Sequence, residues 1–226
     1  MKICVISDTH GEHKELKPIP NCDVLIHCGD ITPLGREHSV IDFLDWFKSL
    51  EQCKYKIFVA GNHDFLFDMN KKRALELIPD NVIYLEDDRV IIDGVKFYGT
   101  PHQLPKSSSS RSSSSYSSSS ISFHNWAFNK RPGIIKEYWD MIPNDVDVLI
   151  THCPPKGIMD LAPWGKVNIG SETLLEKVNV IKPKIHCFGH LHDCYGIMKI
   201  NDTVFINASN LNEEYEIANN PILIEI

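Results

Sequence analysis

Five short polar clusters in this 226-residue chain each follow closely on an apolar run. Ile6 leads into Asp8-Thr9-His10, His27-Cys28 into Gly29-Asp30, Ala60 into Gly61-Asn62-His63-Asp64, Ile150 into Thr151-His152, and Phe188 into Gly189-His190-Leu191-His192. The recurring side chains are carboxylates, one amide and several imidazoles, with no thiolate at the repeated positions. Such oxygen and nitrogen donors suit Mn, Fe, Zn or Mg, and the set is too large for one tetrahedral ion. Two metals is the natural count. A single D-x-H or G-D arises by chance in most chains of this length, whereas the ordered set of five does not.

The clusters need elements that bring them together. Ile3 to Ile6, Val24 to Cys28, Ile57 to Ala60, Val146 to Ile150 and Ile185 to Phe188 are β-branched, nearly continuous apolar runs, the pattern of strands buried on both faces. Helical periodicity is expected over Glu37 to Leu50, Lys71 to Leu77, Ile134 to Met141 and Glu172 to Val180, the last capped by Ser171. Alternation of the two makes the class α/β. Asp93-Gly94 and Asn201-Asp202 predict hairpins, and Ile222 to Ile226 a last strand, so the sheets are mixed. Ligands bind at the carboxyl ends of strands in such folds, which would gather all five clusters around one crevice.

The series Asp8-x-His10, Gly29-Asp30, Gly61-Asn62-His63-Asp64, Thr151-His152 and Gly189-His190-Leu191-His192 resembles the five-motif signature of the calcineurin-like metallophosphoesterases. Gly99-Thr100-Pro101, His124 to Asn129, Thr151 to Pro155, Cys194-Tyr195-Gly196 and Ile206-Asn207-Ala208-Ser209 resemble, more narrowly, the small metallophosphoesterase-domain-containing phosphodiesterases. The likeness runs from about Lys2 to the C-terminus and is interrupted by a serine tract. It implies a four-layer α/β/β/α sandwich with two mixed β-sheets, one domain over residues 1–226. It further implies one metal on Asp8, His10, Asp30 and His192, and a second on Asp30, Asn62, His152 and His190, with Asp30 bridging. Two ions held about 3.5 to 4 Å apart deprotonate a bridging water near neutral pH and clamp the phosphoryl oxygens during in-line attack. Mn²⁺ is the expected ion, with Fe, Zn or Mg as alternatives. His63 would protonate the departing oxygen, and Asp64 would either orient that imidazole and raise its basicity or cap the chain as it leaves the strand. Some vertebrate members of the branch carry glycine at the position of His190; here the histidine is present. The implied activity is hydrolysis of small phosphodiesters such as cyclic nucleotides. A phosphomonoesterase or phosphoprotein phosphatase would use the same metal pair, and a catalytically silent scaffold is a third reading, opposed by the retention of His63 and His190.

Composition narrows the partners. Lys+Arg 23 against Asp+Glu 30 gives a net charge of -7, which opposes binding to long nucleic acids or anionic membranes. Two divalent ions would concentrate positive charge in one cleft, so the expected partner is a nucleotide-sized phosphodiester; the sequence leaves the oligomeric state open. The N-terminal apolar run is too short for a signal-peptide core or an anchor. Seven cysteines without a C-x-x-C pair read as reduced, buried thiols, and the expected location is cytoplasmic. Ser107 to Ser120 has no apolar periodicity and is expected to be a flexible loop. His27 and His186 read as packed or supporting groups, while His13, His38 and His102 have no supporting pattern. Phe123, His124, Trp126 and Phe128 would either stack on a nucleobase or pack a lid against the body.

Overall fold

Neighbouring residues of the apolar runs point to opposite faces and both faces are covered. In β1 (Lys2–Ile6), Ile3 and Val5 join one core while Cys4 and Ile6 join another. The computed structural model describes residues 1–105, 126–162 and 167–226, and the Ser107 to Ser120 tract, with Phe123 and His124, lies outside them. β1 pairs in parallel with β2 (Cys22–His27), β2 with β3 (Cys53–Phe58), and β3 with β4 (Ile83–Tyr84). Antiparallel β13 (Ile222–Glu225) completes this five-stranded sheet beside β1.

The second sheet has parallel central strands β12 (Thr203–Asn207), β10 (Ile185–Phe188), β7 (Val148–Thr151) and β6 (Val95–Thr100). Antiparallel β11 (Gly196–Ile200) and β5 (Asp88–Ile92) form its edges. Both sheets are therefore mixed. The β5–β6 hairpin turns on Asp93 (φ 48°) and Gly94 (φ 83°), the two positive values a type I′ turn requires. A small ribbon of β8 (Leu161–Ala162) and β9 (Val167–Asn168) stands apart.

The two sheets pack face to face through Ile3, Val5, Val24, Ile26, Ile57 and Val59 against Phe97, Val148, Ile150, Ile185, Cys187 and Ile206. Helices cover the outer faces. α1 (Glu37–Lys48) lays Val40, Phe43, Leu44 and Phe47 on the first sheet, assisted by Phe67 of α2 (Phe65–Met69) and Ala74 of α3 (Lys71–Leu77). Ile135 and Trp139 of α4 (Pro132–Met141) and Leu174, Val178 and Ile181 of α5 (Glu172–Ile181) cover the second. This is the expected α/β/β/α sandwich. Ser171 caps α5 by accepting from Leu174 N at 3.2 Å. Pro132 starts α4 two residues earlier than its apolar periodicity predicts, since proline is suited to the first helical turn. A parallel bridge between Ser7 and Ser209 ties the two sheets together just beyond the ends of β1 and β12. All seven cysteines are free thiols.

Candidate metal centre

Each expected cluster sits immediately beyond a strand end. Asp8 and His10 follow β1, Asp30 follows β2, Asn62, His63 and Asp64 follow β3, His152 follows β7, and His190 and His192 follow β10. Asp8, His10, Asp30 and His190 take the left-handed backbone conformation, with φ of 52°, 43°, 55° and 70°. Such sharp turns aim the side chains back across the strand ends. Two glycines make room for them: a Cβ on Gly61 would collide with Asp30, and one on Gly189 with the Asp8 carboxylate and Ser7.

The side chains gather into overlapping groups: Asp8, His10 and His192; His10, Asp30 and His63; Asp30, His152 and His190. Oδ2 of Asp30 is the common point. It lies 3.3 Å from Nε2 of His152, 3.7 Å from Nε2 of His10 and 4.0 Å from Nε2 of His63. Nε2 of His152 is also 3.1 Å from Asn62 Oδ1 and 3.2 Å from His190 Nδ1. In the first group, Nε2 of His192 is 3.7 Å from Asp8 Oδ1.

The backbone sets the tautomers. Nδ1–H of His152 donates to Cys28 O at 2.9 Å, and Nδ1–H of His192 donates to Asn212 O at 2.8 Å, so each Nε2 is turned inward. The inner atoms are thus lone-pair donors crowded on lone-pair donors, an arrangement that requires positive charge between them. Neither nitrogen of the buried His10 ring has a hydrogen-bond partner, and burial pushes that imidazole down to about 4, leaving it neutral and ready to ligate. The residues present fit two divalent cations: hard carboxylate and amide oxygens mixed with neutral imidazole nitrogens.

Electrostatics agree. Burial opposes ionisation of Asp8, but the nearby His192 and the charge of His152 prevail and hold it below the ordinary carboxylate range. Asp30 is likewise held low, burial being overcome by His152 and His63. Burial alone would lower His152 and His192, yet Asp30 and Asp8 respectively push them up to about 9. The two aspartates thus favour positive charge at these two points, the charge that divalent cations would supply.

The calcineurin-like phosphoesterase family model matches residues 1–194. The chain belongs to this family. It is 35% identical to human Metallophosphoesterase domain-containing protein 1 over 99% of its own length and 70% of that protein's. It is also 35% identical to the Caenorhabditis elegans UPF0046 protein K07C11.7, over 100% of this chain and 75% of the relative. Among solved structures, TT1561 of Thermus thermophilus shares the fold, with a TM-score of 0.57, 13% identity and coverage of 91% of this chain and 88% of that one.

One expectation for this phosphoesterase is corrected. Asp64 does not touch the His63 ring: its carboxylate accepts from Ile31 N, Thr32 N, Thr32 Oγ1 and Gly61 N at 2.8 to 3.1 Å. It rivets the loop carrying Asp30 to the loop carrying Asn62. Burial, then the charge of Asp30, push this carboxyl up to about 6. Pro33 O takes the orienting role, accepting from Nδ1 of His63 at 2.6 Å.

Trp126 rests its ring 4.4 Å from that of His63 and 5.7 Å from Phe65, a packing contact on the imidazole itself. Phe128 is buried in the helix-covered core of the first sheet. His27 and His186 are fully buried supports: His27 pairs with Thr9 Oγ1 at 3.0 Å and His186 with Thr151 Oγ1 at 2.9 Å. His102 pairs with Asp87 at 2.8 Å, a dyad with no local sequence signal. Also without such a signal are Asn212, which holds His192, and Tyr215, whose ring lies 5.0 Å from His10 and 5.2 Å from His192. Ser209, noted only as part of a motif, donates to Asp8 Oδ2 at 2.8 Å.

Proposed function

We propose that the chain is a binuclear metal-dependent phosphodiesterase acting on small phosphodiesters, cyclic nucleotides among them. The observation that supports this best is the single oxygen of Asp30 facing both His10 and His152. Asp8, His10, Asp30 and His192 would hold one ion, and Asp30, Asn62, His152 and His190 the other. Two divalent ions, most simply Mn²⁺, would supply acidification of a nucleophilic water and neutralisation of the phosphoryl oxygens.

The chain's own residues do the rest. The carbonyls of Cys28 and Asn212 keep the lone pairs of His152 and His192 inward. His63, anchored through Nδ1 on Pro33 O, presents Nε2 toward Asp30 and delivers its proton to the leaving oxygen. A depression of about 240 Å³ lined by His10, Glu12, Pro33, His63, Leu211 and Tyr215 adjoins that nitrogen and has room for a leaving group. A second, of about 280 Å³, meets the ligand set at His190 and carries Leu104, Pro105 and Val167. A phosphodiester has two substituents to place and a monoester one, which favours the diester reading over a phosphatase.

The deciding experiment is turnover of bis(p-nitrophenyl) phosphate, p-nitrophenyl phosphate, and 2′,3′- and 3′,5′-cyclic AMP, with Mn²⁺ restored after chelation. Metal-dependent hydrolysis preferring diesters is expected. Preference for the monoester would install the phosphatase reading, and no turnover of any substrate would leave the scaffold.

A further inference from the structure

Three cysteines lie away from the metal ligands, where the first sheet meets its helices. Cys22 opens β2 and Cys53 opens β3, and the two are register partners on neighbouring parallel strands. Their sulfurs are 3.1 Å apart, inside van der Waals contact. Paired positions on adjacent strands stand about 5 Å apart at Cα, inside the 4.4 to 6.8 Å range of disulfides. Side-chain rotation alone can therefore close the bond.

Access favours one sulfur. Cys22 lines a surface depression of about 220 Å³ with Lys2, Asn21, Asp23 and Gln52, whereas Cys4 and Cys53 are sealed beneath. Lys56 is only 4% exposed and its ammonium donates to Cys53 O at 3.1 Å, so it stands on the Cys53 side of the pair. Its proximity to the Cys4 thiol, then to that of Cys53, holds Cys22 below the ordinary thiol range against burial and the charge of Asp23, the condition for a reactive thiolate.

We infer that Cys22 and Cys53 form an oxidisable dithiol, a modification site that closes to a disulfide under hydrogen peroxide. The Cys22 thiolate attacks the peroxide O–O bond, giving sulfenic acid and hydroxide, which takes up a proton to become water. The Cys53 sulfur then attacks the Cys22 sulfur, forming the S–S bond and expelling the second water with the Cys53 proton. Two sulfurs each give up one electron and one peroxide takes both. The bridge joins positions 31 apart in sequence, enclosing Asp30 and α1. It forms at the start of the two strands beyond whose far ends Asp30 and Asn62 stand.

The test treats reduced, metal-loaded protein with one equivalent of hydrogen peroxide, followed by intact mass, non-reducing peptide mapping and thermal melting. A 2 Da loss, a Cys22–Cys53 cross-linked peptide, a raised melting midpoint and unchanged metal-dependent turnover are expected. Cys53→Ser should instead add 16 Da at Cys22. Oxygen addition at Cys194 with both partners still reduced, or a 2 Da loss surviving in Cys53→Ser, would overturn the inference. Iodoacetamide competition on the wild type needs no folded variant: Cys22 should alkylate before Cys53 and be protected after peroxide, and equal labelling before and after would also overturn it.

Discussion

The imidazole of His63 is fixed from three directions: Pro33 O binds Nδ1, the His10 ring meets it edge-on at 4.6 Å, and Trp126 lies against it. His63→Ala is expected to cut turnover of alkyl-leaving-group diesters by about 10²–10⁴-fold while both metals stay bound. A p-nitrophenyl ester, whose leaving group needs no proton, should suffer far less, and an equal loss on both would refute the acid role. Trp126→Ala should lower kcat by up to about 10²-fold with KM nearly unchanged, and Trp126→Phe should restore most of it. A nucleobase-selective rise in KM would instead revive stacking on the substrate. Asp30 and Asp8 push His152 and His192 up to about 9, so cations binding there would compete with protons at pH 7. Calorimetry in buffers of different ionisation enthalpy should therefore register about one proton released per ion at pH 7. Affinity for Mn²⁺ should climb with pH until about 9, and a binding constant flat across this range would contradict the ligand assignment.

Strand ends and the glycines beside them act as the positioning devices. Because a Cβ on Gly189 would overlap the Asp8 carboxylate, Gly189→Ala should weaken Mn²⁺ binding by about 10–100-fold, as losses of ligand support do. Unchanged circular dichroism would show that the sheet survives, and unchanged metal content would refute the cradle. The strands that carry the proposed ligands were legible in the sequence because burial on both faces leaves a continuous apolar run. β4 and α2 were not, since two and five residues are too short to display a period. The proposed ligand positions themselves were legible because each follows closely on an apolar run. The partners of Asp64 were not, because Ile31 and Thr32 are brought to it by the parallel pairing of β2 and β3, and their backbone N–H groups carry no residue signature. Tyr215 and Asn212 reach the site from a loop beyond β12, a contact that only the closing of both sheets creates.

Across the whole molecule, two fully buried imidazoles add to the response to acid. Burial pushes His27 and His186 down to about 3, whereas an unfolded chain binds those protons near 6.5. Between these values the unfolded state holds more protons, so the stability is complete above about pH 6.5 and drains away as pH falls toward 3. Each site contributes a slope of up to about 1.4 kcal/mol per pH unit. Denaturant melts of metal-free protein at stepped pH should show this limb flattened in a His27→Gln, His186→Gln variant, which keeps an N–H donor toward Thr9 and Thr151. An identical limb would shift the cause to other groups. The left-handed backbone at His190 carries a different consequence, one of evolutionary accessibility. A side chain at φ 70° costs about 1–2 kcal/mol that glycine does not, so His190→Gly removes a ligand while easing the chain. Its melting midpoint in chelator should equal or exceed that of the wild type. Position 190 is thus one where a single substitution would exchange a proposed ligand for a relaxed backbone without cost to the fold.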